Sequence, residues 1–239
     1  MYPSIILLIS HTVKKKSQFL FSPDDLKKSV DSAGRARILG AMQKEKPSLL
    51  LVNACLDAGD PCVPVYLAML EPYFKVTTVH VDALTSPRFA EDAAVVTGST
   101  KLITRDPAPE ILYALYRETE KPLLGICYGH QTLAHAWGAR VVKKEFFEAD
   151  AEIRVSRMDA LLDGFEKTFP AFKSHFEHVV ADEGLTRHFD VLASSDWCAV
   201  EVIRHRTRPL WGTQFHPERS GETGERIAAN FCRIVAGDA

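Results

Sequence analysis

From Ser48 onward, short apolar runs alternate with stretches of helical periodicity, and this alternation constrains the fold more than any other feature of the chain. Leu49-Leu-Leu-Val52 is continuously apolar, the pattern of a strand covered on both faces. Residues 76–81, 93–97 and 123–126 read as further strands, with helices expected at residues 65–70, 107–117 and 131–137. Such an alternation implies an α/β fold: an open, mostly parallel, doubly wound sheet with helices on both faces. The C-terminal half adds strands at residues 191–192, 199–203 and 210–215 before a closing helix at residues 222–234.

Composition narrows the class of chain. Apolar residues make up 46% and charged residues 25% of 239 positions, ordinary globular usage rather than disordered or fibrous. Lys plus Arg total 29 against 31 Asp plus Glu, a net charge of −2, so no bulk positive charge recruits nucleic acid or an anionic membrane. Five cysteines, an odd number with no C-x-x-C pair, argue against a disulfide framework or zinc ribbon and for a reducing, cytoplasmic setting. Ser4-Ile-Ile-Leu-Leu-Ile9 is too short to span a bilayer, and Lys14-Lys-Lys16 follows it rather than preceding it, so it reads as a strand. Ser22-Pro-Asp-Asp25 reads as a helix start, with the helix running to about Met42. Residues 1–47 are thus expected to be a strand-plus-helix extension packed on, or docking to, a single domain at residues 48–239.

Chemistry concentrates in two motifs. In Gly125-Ile-Cys127-Tyr-Gly129, glycines flank a nucleophile where an apolar strand meets a helix, the pattern of a strained nucleophile elbow. Such a turn lifts the Cys127 side chain above the carboxyl edge of the sheet and sets it at a helix N-terminus that favours thiolate. About 90 residues later comes Phe215-His216-Pro217-Glu218 after another strand. Pro217 biases His216 toward extended backbone, which would put His216 and Glu218 on one side. Glu218 would then hold the imidazole tautomer that leaves Nε2 free as base. Nucleophile, base and orienter together point to acyl transfer through a thioester.

Residues 125–131 and 215–218 resemble the class I (triad) glutamine amidotransferases, with Gly125-Ile-Cys-Tyr-Gly129 most similar to the GMP-synthase branch. The resemblance covers residues 48–234 and implies hydrolysis of L-glutamine to glutamate and ammonia, with Cys127 as nucleophile, His216 as base and Glu218 as orienter. It implies an oxyanion hole from the backbone N–H groups of Gly98 and Tyr128. It also implies contacts to glutamine from Gln131 and from the segment Ser174-His175-Phe176. Relatives carry two glycines and a proline where this chain has Gly98-Ser99-Thr100, and Ser99 resists the positive φ that a backbone flip would cross.

No metal and no cofactor are expected: His130 with His135 and His175 with His178 lack further ligands at zinc spacing. The sequence contains neither a phosphate loop nor an ATP-pyrophosphatase motif, so an ammonia-accepting synthetase would be a separate polypeptide. Two other readings stand beside the leading one. One is a γ-glutamyl hydrolase using the same triad on γ-glutamyl conjugates; the other is a low-activity glutamine-binding regulatory module.

Overall fold

A computed structural model describes residues 45–57, 59 and 61–238. The expected N-terminal strand and helix lie outside the described residues. The compact unit described below begins at Lys46.

Nine strands form one sheet in the order β2-β1-β3-β4-β9-β8-β7-β5-β6. The strands β1 (Ser48–Asn53), β2 (Lys75–His80), β3 (Ala93–Val96), β4 (Leu123–Ile126) and β9 (Leu210–Thr213) are parallel to their neighbours within this half. Each apolar run sends alternate residues to opposite faces. Leu49, Leu51, Val95 and Leu124 pack on α1 (Val63–Leu70) and α5 (Glu222–Val235). Leu50, Val52, Val96 and Leu123 pack on α2 (Glu110–Glu118) and α3 (Tyr128–Ala136). Two apolar cores, one on each side, explain why these strands carry almost no polar residue. No helix among the described residues is long and apolar enough to cross a membrane.

The other half of the sheet is antiparallel: β9 pairs with β8 (Val202–His205), β8 with β7 (Phe189–Ser194), β7 with β5 (Val141–Val155) and β5 with β6 (Thr168–Val179). The long β5–β6 hairpin is not among the strands expected from the sequence. Its buried positions explain why, since on β6 the inward-facing series Phe169, Ala171, Lys173, His175 and Glu177 ends in three polar side chains. That series has the period of a strand but not its hydrophobicity. A short helix, α4 (Glu183–Thr186), joins β6 to β7.

Cysteine pairing differs from the expectation. Cys55 and Cys62 are joined by a disulfide across the loop between β1 and α1, while Cys127, Cys198 and Cys232 are free. The pairing is local, made by a loop that folds back before α1, and a spacing of seven residues matches no motif that sequence could flag.

Candidate active site

Three adjacent parallel strands, β3, β4 and β9, end side by side, and the chain leaving each carries one part of the site. This is the carboxyl edge, where open α/β sheets place their ligands. Thr97-Gly98 leaves β3, Cys127 leaves β4, and Gln214 to Glu218 leave β9.

Cys127 is the only non-glycine residue with positive φ among the described residues, at φ 49 and ψ −101. Such a backbone costs of order 1–3 kcal/mol and persists only where its surroundings enforce it. Here the Cys127 N–H donates to the Thr213 carbonyl at 2.8 Å, and the Cys127 carbonyl accepts from Gln131 N–H at 2.9 Å. The flanking glycines permit close packing: a Cβ on Gly125 would lie 2.4 Å from the Gly129 carbonyl oxygen, and one on Gly129 would lie 2.4 Å from that of Val96. Neither position admits a side chain.

His216 has the extended backbone expected before proline, at φ −102 and ψ 91. The next residues, Pro217–Arg219, turn as a 3₁₀ helix rather than continuing extended. The turn still delivers Glu218 to the imidazole, with Oε1 2.7 Å from Nδ1. Both side chains are nearly buried, at 12% and 4% exposure. On the other side of the ring, Nε2 lies 3.3 Å from the Ser174 carbonyl oxygen, and Cys127 Sγ lies 3.9 Å from that same oxygen. Burial works to lower the His216 pKa, but the facing Cys127 sulfur and the Glu218 carboxylate together raise it well above the ordinary histidine value. An imidazole so placed is a strong proton acceptor.

Gly98 packs against both reacting groups: a Cβ there would lie 3.2 Å from His216 Cε1 and 3.4 Å from Cys127 Cβ. Its N–H donates to the Tyr66 hydroxyl at 2.9 Å. Tyr66 is buried on α1, and its phenol pKa is pushed well above normal by burial and then by the Glu218 charge. The N–H expected to serve an oxyanion therefore has a partner already. Tyr128, whose N–H is the other expected donor, opens α3. Ser99 holds the following turn, its Oγ accepting from Lys101 N–H at 3.1 Å.

A cavity of about 340 Å³ opens on Cys127 and brings Gln131, Ser174, His175 and Phe176 to its wall, together with Ser99 and Glu148. The expected nucleophile and substrate contacts thus share one space. Glu148 on β5 accepts from Ser174 Oγ at 2.8 Å. Glu177, which no sequence motif marks, fastens the loop after β3: its two carboxylate oxygens accept from Ile103 and Thr104 N–H at 2.8 Å each. His175 Nδ1 lies 3.0 Å from the Glu177 carbonyl oxygen, and burial pushes the His175 pKa down to about 3, so the ring is neutral. Cys198, by contrast with Cys127, does not line this cavity, and burial followed by the Glu201 charge pushes its thiol up to about 12. Tyr66 and Gln214 are further site residues that the sequence reading does not reach. Gln214 sits two residues before His216, close enough to the motif to be noticed, whereas nothing in the sequence singles out Tyr66.

This fold, with a cysteine at a strand-to-helix elbow facing a histidine–glutamate pair, is that of a class I glutamine amidotransferase. The profile of the family described as "Glutamine amidotransferase class-I" matches residues 64–235, and the chain belongs to that family. It is 41% identical over 115 residues to the A chain of the glutamine-hydrolyzing GMP synthase of Methanococcus aeolicus, covering 47% of this chain and 60% of the relative. The protein of the same description from Pyrococcus abyssi is 36% identical over 121 residues, covering 50% of this chain and 63% of the relative. The chain thus spans about 60% of the length of the curated relatives it matches. Among solved structures, one described as a GMP synthase subunit, from Thermoplasma acidophilum, superposes with a TM-score of 0.69 at 26% identity, over 81% of this chain and 96% of that one. A glutamine amidotransferase from Thermotoga maritima has the same fold, with a TM-score of 0.60 at 18% identity over 81% and 86% of the two chains.

Proposed function

We propose that this chain hydrolyses the side-chain amide of L-glutamine through a Cys127 thioester and delivers the ammonia to a separate synthetase, as a GMP-synthase-like glutaminase. Residues 48–239 are the amidotransferase domain in this reading, and residues 1–47 an extension to it. The observation that carries the reading is the strained Cys127 facing His216, whose other nitrogen meets Glu218 at 2.7 Å.

The proton of Cys127 passes to His216 Nε2, and the sulfur attacks the amide carbon to give a tetrahedral oxyanion. His216 returns the proton to the departing nitrogen, the C–N bond breaks, and ammonia leaves a thioester. Water, deprotonated by His216, then releases glutamate. Glu218 stabilises the imidazolium in both halves. Gly98 and Tyr128 N–H groups serve the oxyanion, each worth roughly 3 kcal/mol in the transition state. Gln131 and residues 174–176 hold the amino-acid end of the substrate.

The engagement of Gly98 N–H by Tyr66 favours a low basal rate that a partner raises. The test is release of glutamate and ammonia from L-glutamine by the chain alone and with a co-purifying partner. Turnover of γ-glutamyl peptides without turnover of glutamine would favour the γ-glutamyl hydrolase reading. Glutamine binding without turnover under all conditions would favour a regulatory module.

A further inference from the structure

The sulfur of Cys127 has a polar neighbour that the triad does not use. Gln214 is fully buried, and its Nε2 lies 3.6 Å from Cys127 Sγ. Its Oε1 accepts from Gln131 Nε2 at 3.1 Å, and that same nitrogen donates to the Glu177 carbonyl at 2.9 Å. The orientation of a side-chain amide is set by its partners, and here the partners leave no choice. A backbone carbonyl only accepts, so Gln131 turns its NH₂ toward Glu177. The second hydrogen of that group points at Gln214, which answers with its oxygen. The Gln214 NH₂ is then left to face the sulfur. Reversing either amide would oppose two oxygens in a site without exposure, at the cost of buried unsatisfied groups.

We propose that Gln214 is a catalytic residue that holds a fixed N–H donor on the Cys127 sulfur, and that Gln131, anchored on the Glu177 carbonyl, is the positioning residue that prevents the donor from turning away. The proposal rests on Cys127 being the nucleophile. It adds no step to the reaction: the sulfur still gives its proton to His216, and the Gln214 hydrogen stays on nitrogen throughout. What the donor does is favour negative charge on sulfur, both before attack and when the thioester breaks down. It also gives Gln131 a role besides contact with substrate, one exercised by the NH₂ group and leaving its oxygen free.

The test follows alkylation of Cys127 by iodoacetamide in the full chain, read by peptide mass spectrometry between about pH 5 and pH 9, with Cys232 in the same digest as reference. The midpoint belongs to the Cys127–His216 pair as a unit. In Gln214→Leu it should rise by about one pH unit, and the rate at about pH 6 should fall about fivefold to tenfold, since a hydrogen bond to a charged group is worth about that much. Gln214→Glu, close in shape, should shift it at least as far because its carboxylate opposes the thiolate. Gln131→Glu, which cannot donate to either partner, should shift it in the same direction without touching the sulfur. A merely structural role would lower the melting temperature and leave the midpoint in place. If Gln214→Leu does not fold, the two isosteric variants decide. Wild-type Cys127 alkylated as a thiolate, with unchanged midpoints in the folded variants, would overturn the relay and spare the nucleophile. A wild-type Cys127 that is inert while Cys232 reacts would overturn both.

Discussion

The backbone N–H of Gly98 donates to the hydroxyl of Tyr66 at 2.9 Å, joining the loop after β3 to helix α1 beside the reacting groups. An N–H committed to a phenol is withheld from an oxyanion until the bond is exchanged. Tyr66→Phe keeps the buried ring and removes the acceptor, so basal glutamine hydrolysis should rise about threefold to tenfold, the worth of one hydrogen bond. The gain should appear in kcat with KM little changed, because no substrate contact is added. A fall in kcat would mean that the hydroxyl assists the reaction rather than restraining it.

Ser99 acts on the same loop. It has no positive φ in this structure, and a flip of the Gly98–Ser99 segment would force a residue with a Cβ through costly backbone angles. Ser99→Gly should raise partner-independent glutamate production, roughly 5- to 100-fold if the full 1–3 kcal/mol of strain opposes the flip. Steady-state rates of wild type and variant without partner measure this. Equal rates would show that the serine is tolerated and restrains nothing.

Glu218 fixes His216 through Nδ1 at 2.7 Å, and Glu218→Gln keeps the shape while favouring the wrong tautomer. A loss of about 10³- to 10⁴-fold in kcat is expected, by the same logic that governs other triads. Stopped assays with glutamine at saturation give the number. A loss below about tenfold would remove Glu218 from the machinery while leaving Cys127 and His216 in place.

Stability should fall as the solution is acidified below the ordinary histidine range. Burial pushes the pKa values of His130 and His175 down to about 3, and both rings are buried. Between about pH 6.5 and pH 3 the unfolded chain binds protons that the folded chain refuses, so unfolding free energy rises with pH across that window. Two such groups give a slope of about 3 kcal/mol per pH unit. His216 has the opposite sign: its raised pKa makes a contribution that is present below 6.5 and lost as pH rises through its folded value. Urea midpoints at about pH 7, 6 and 5 should therefore drop steeply, and a flat series would contradict buried neutral rings.

Lys173 and Glu201 form an ion pair at 2.5 Å with neither side chain exposed, and Ser195 hydrogen-bonds to both. Burial raises the Glu201 pKa, opposed by the Lys173 charge. Lys173→Met strands that carboxylate and should cost about 3–5 kcal/mol, measured by urea unfolding. Lys173→Met with Glu201→Leu should recover most of the loss. A double variant no more stable than the single would show that the pair supplies net stability itself.

The five parallel strands were legible because both faces of each are covered, which leaves apolar runs such as Leu49-Leu-Leu-Val52 in plain view. The Cys127 elbow and the His216–Glu218 pair were legible because Gly125 and Gly129 are demanded by backbone contacts at 2.4 Å, and Pro217 restrains His216. What escaped was built from polar residues at buried positions. Lys173, His175 and Glu177 hid a strand, and the amides of Gln131 and Gln214 find each other only once β4 and β9 lie side by side. Tyr66 meets Gly98 through a helix packing that no local pattern encodes.

The most direct test of the account is labelling by a glutamine analogue that alkylates thiols, with residual glutaminase activity followed alongside peptide mass spectrometry. One adduct should form on Cys127, with activity lost in proportion, and Cys127→Ala should be neither labelled nor active. A label on Cys198 or Cys232 accompanied by the same loss of activity would contradict it.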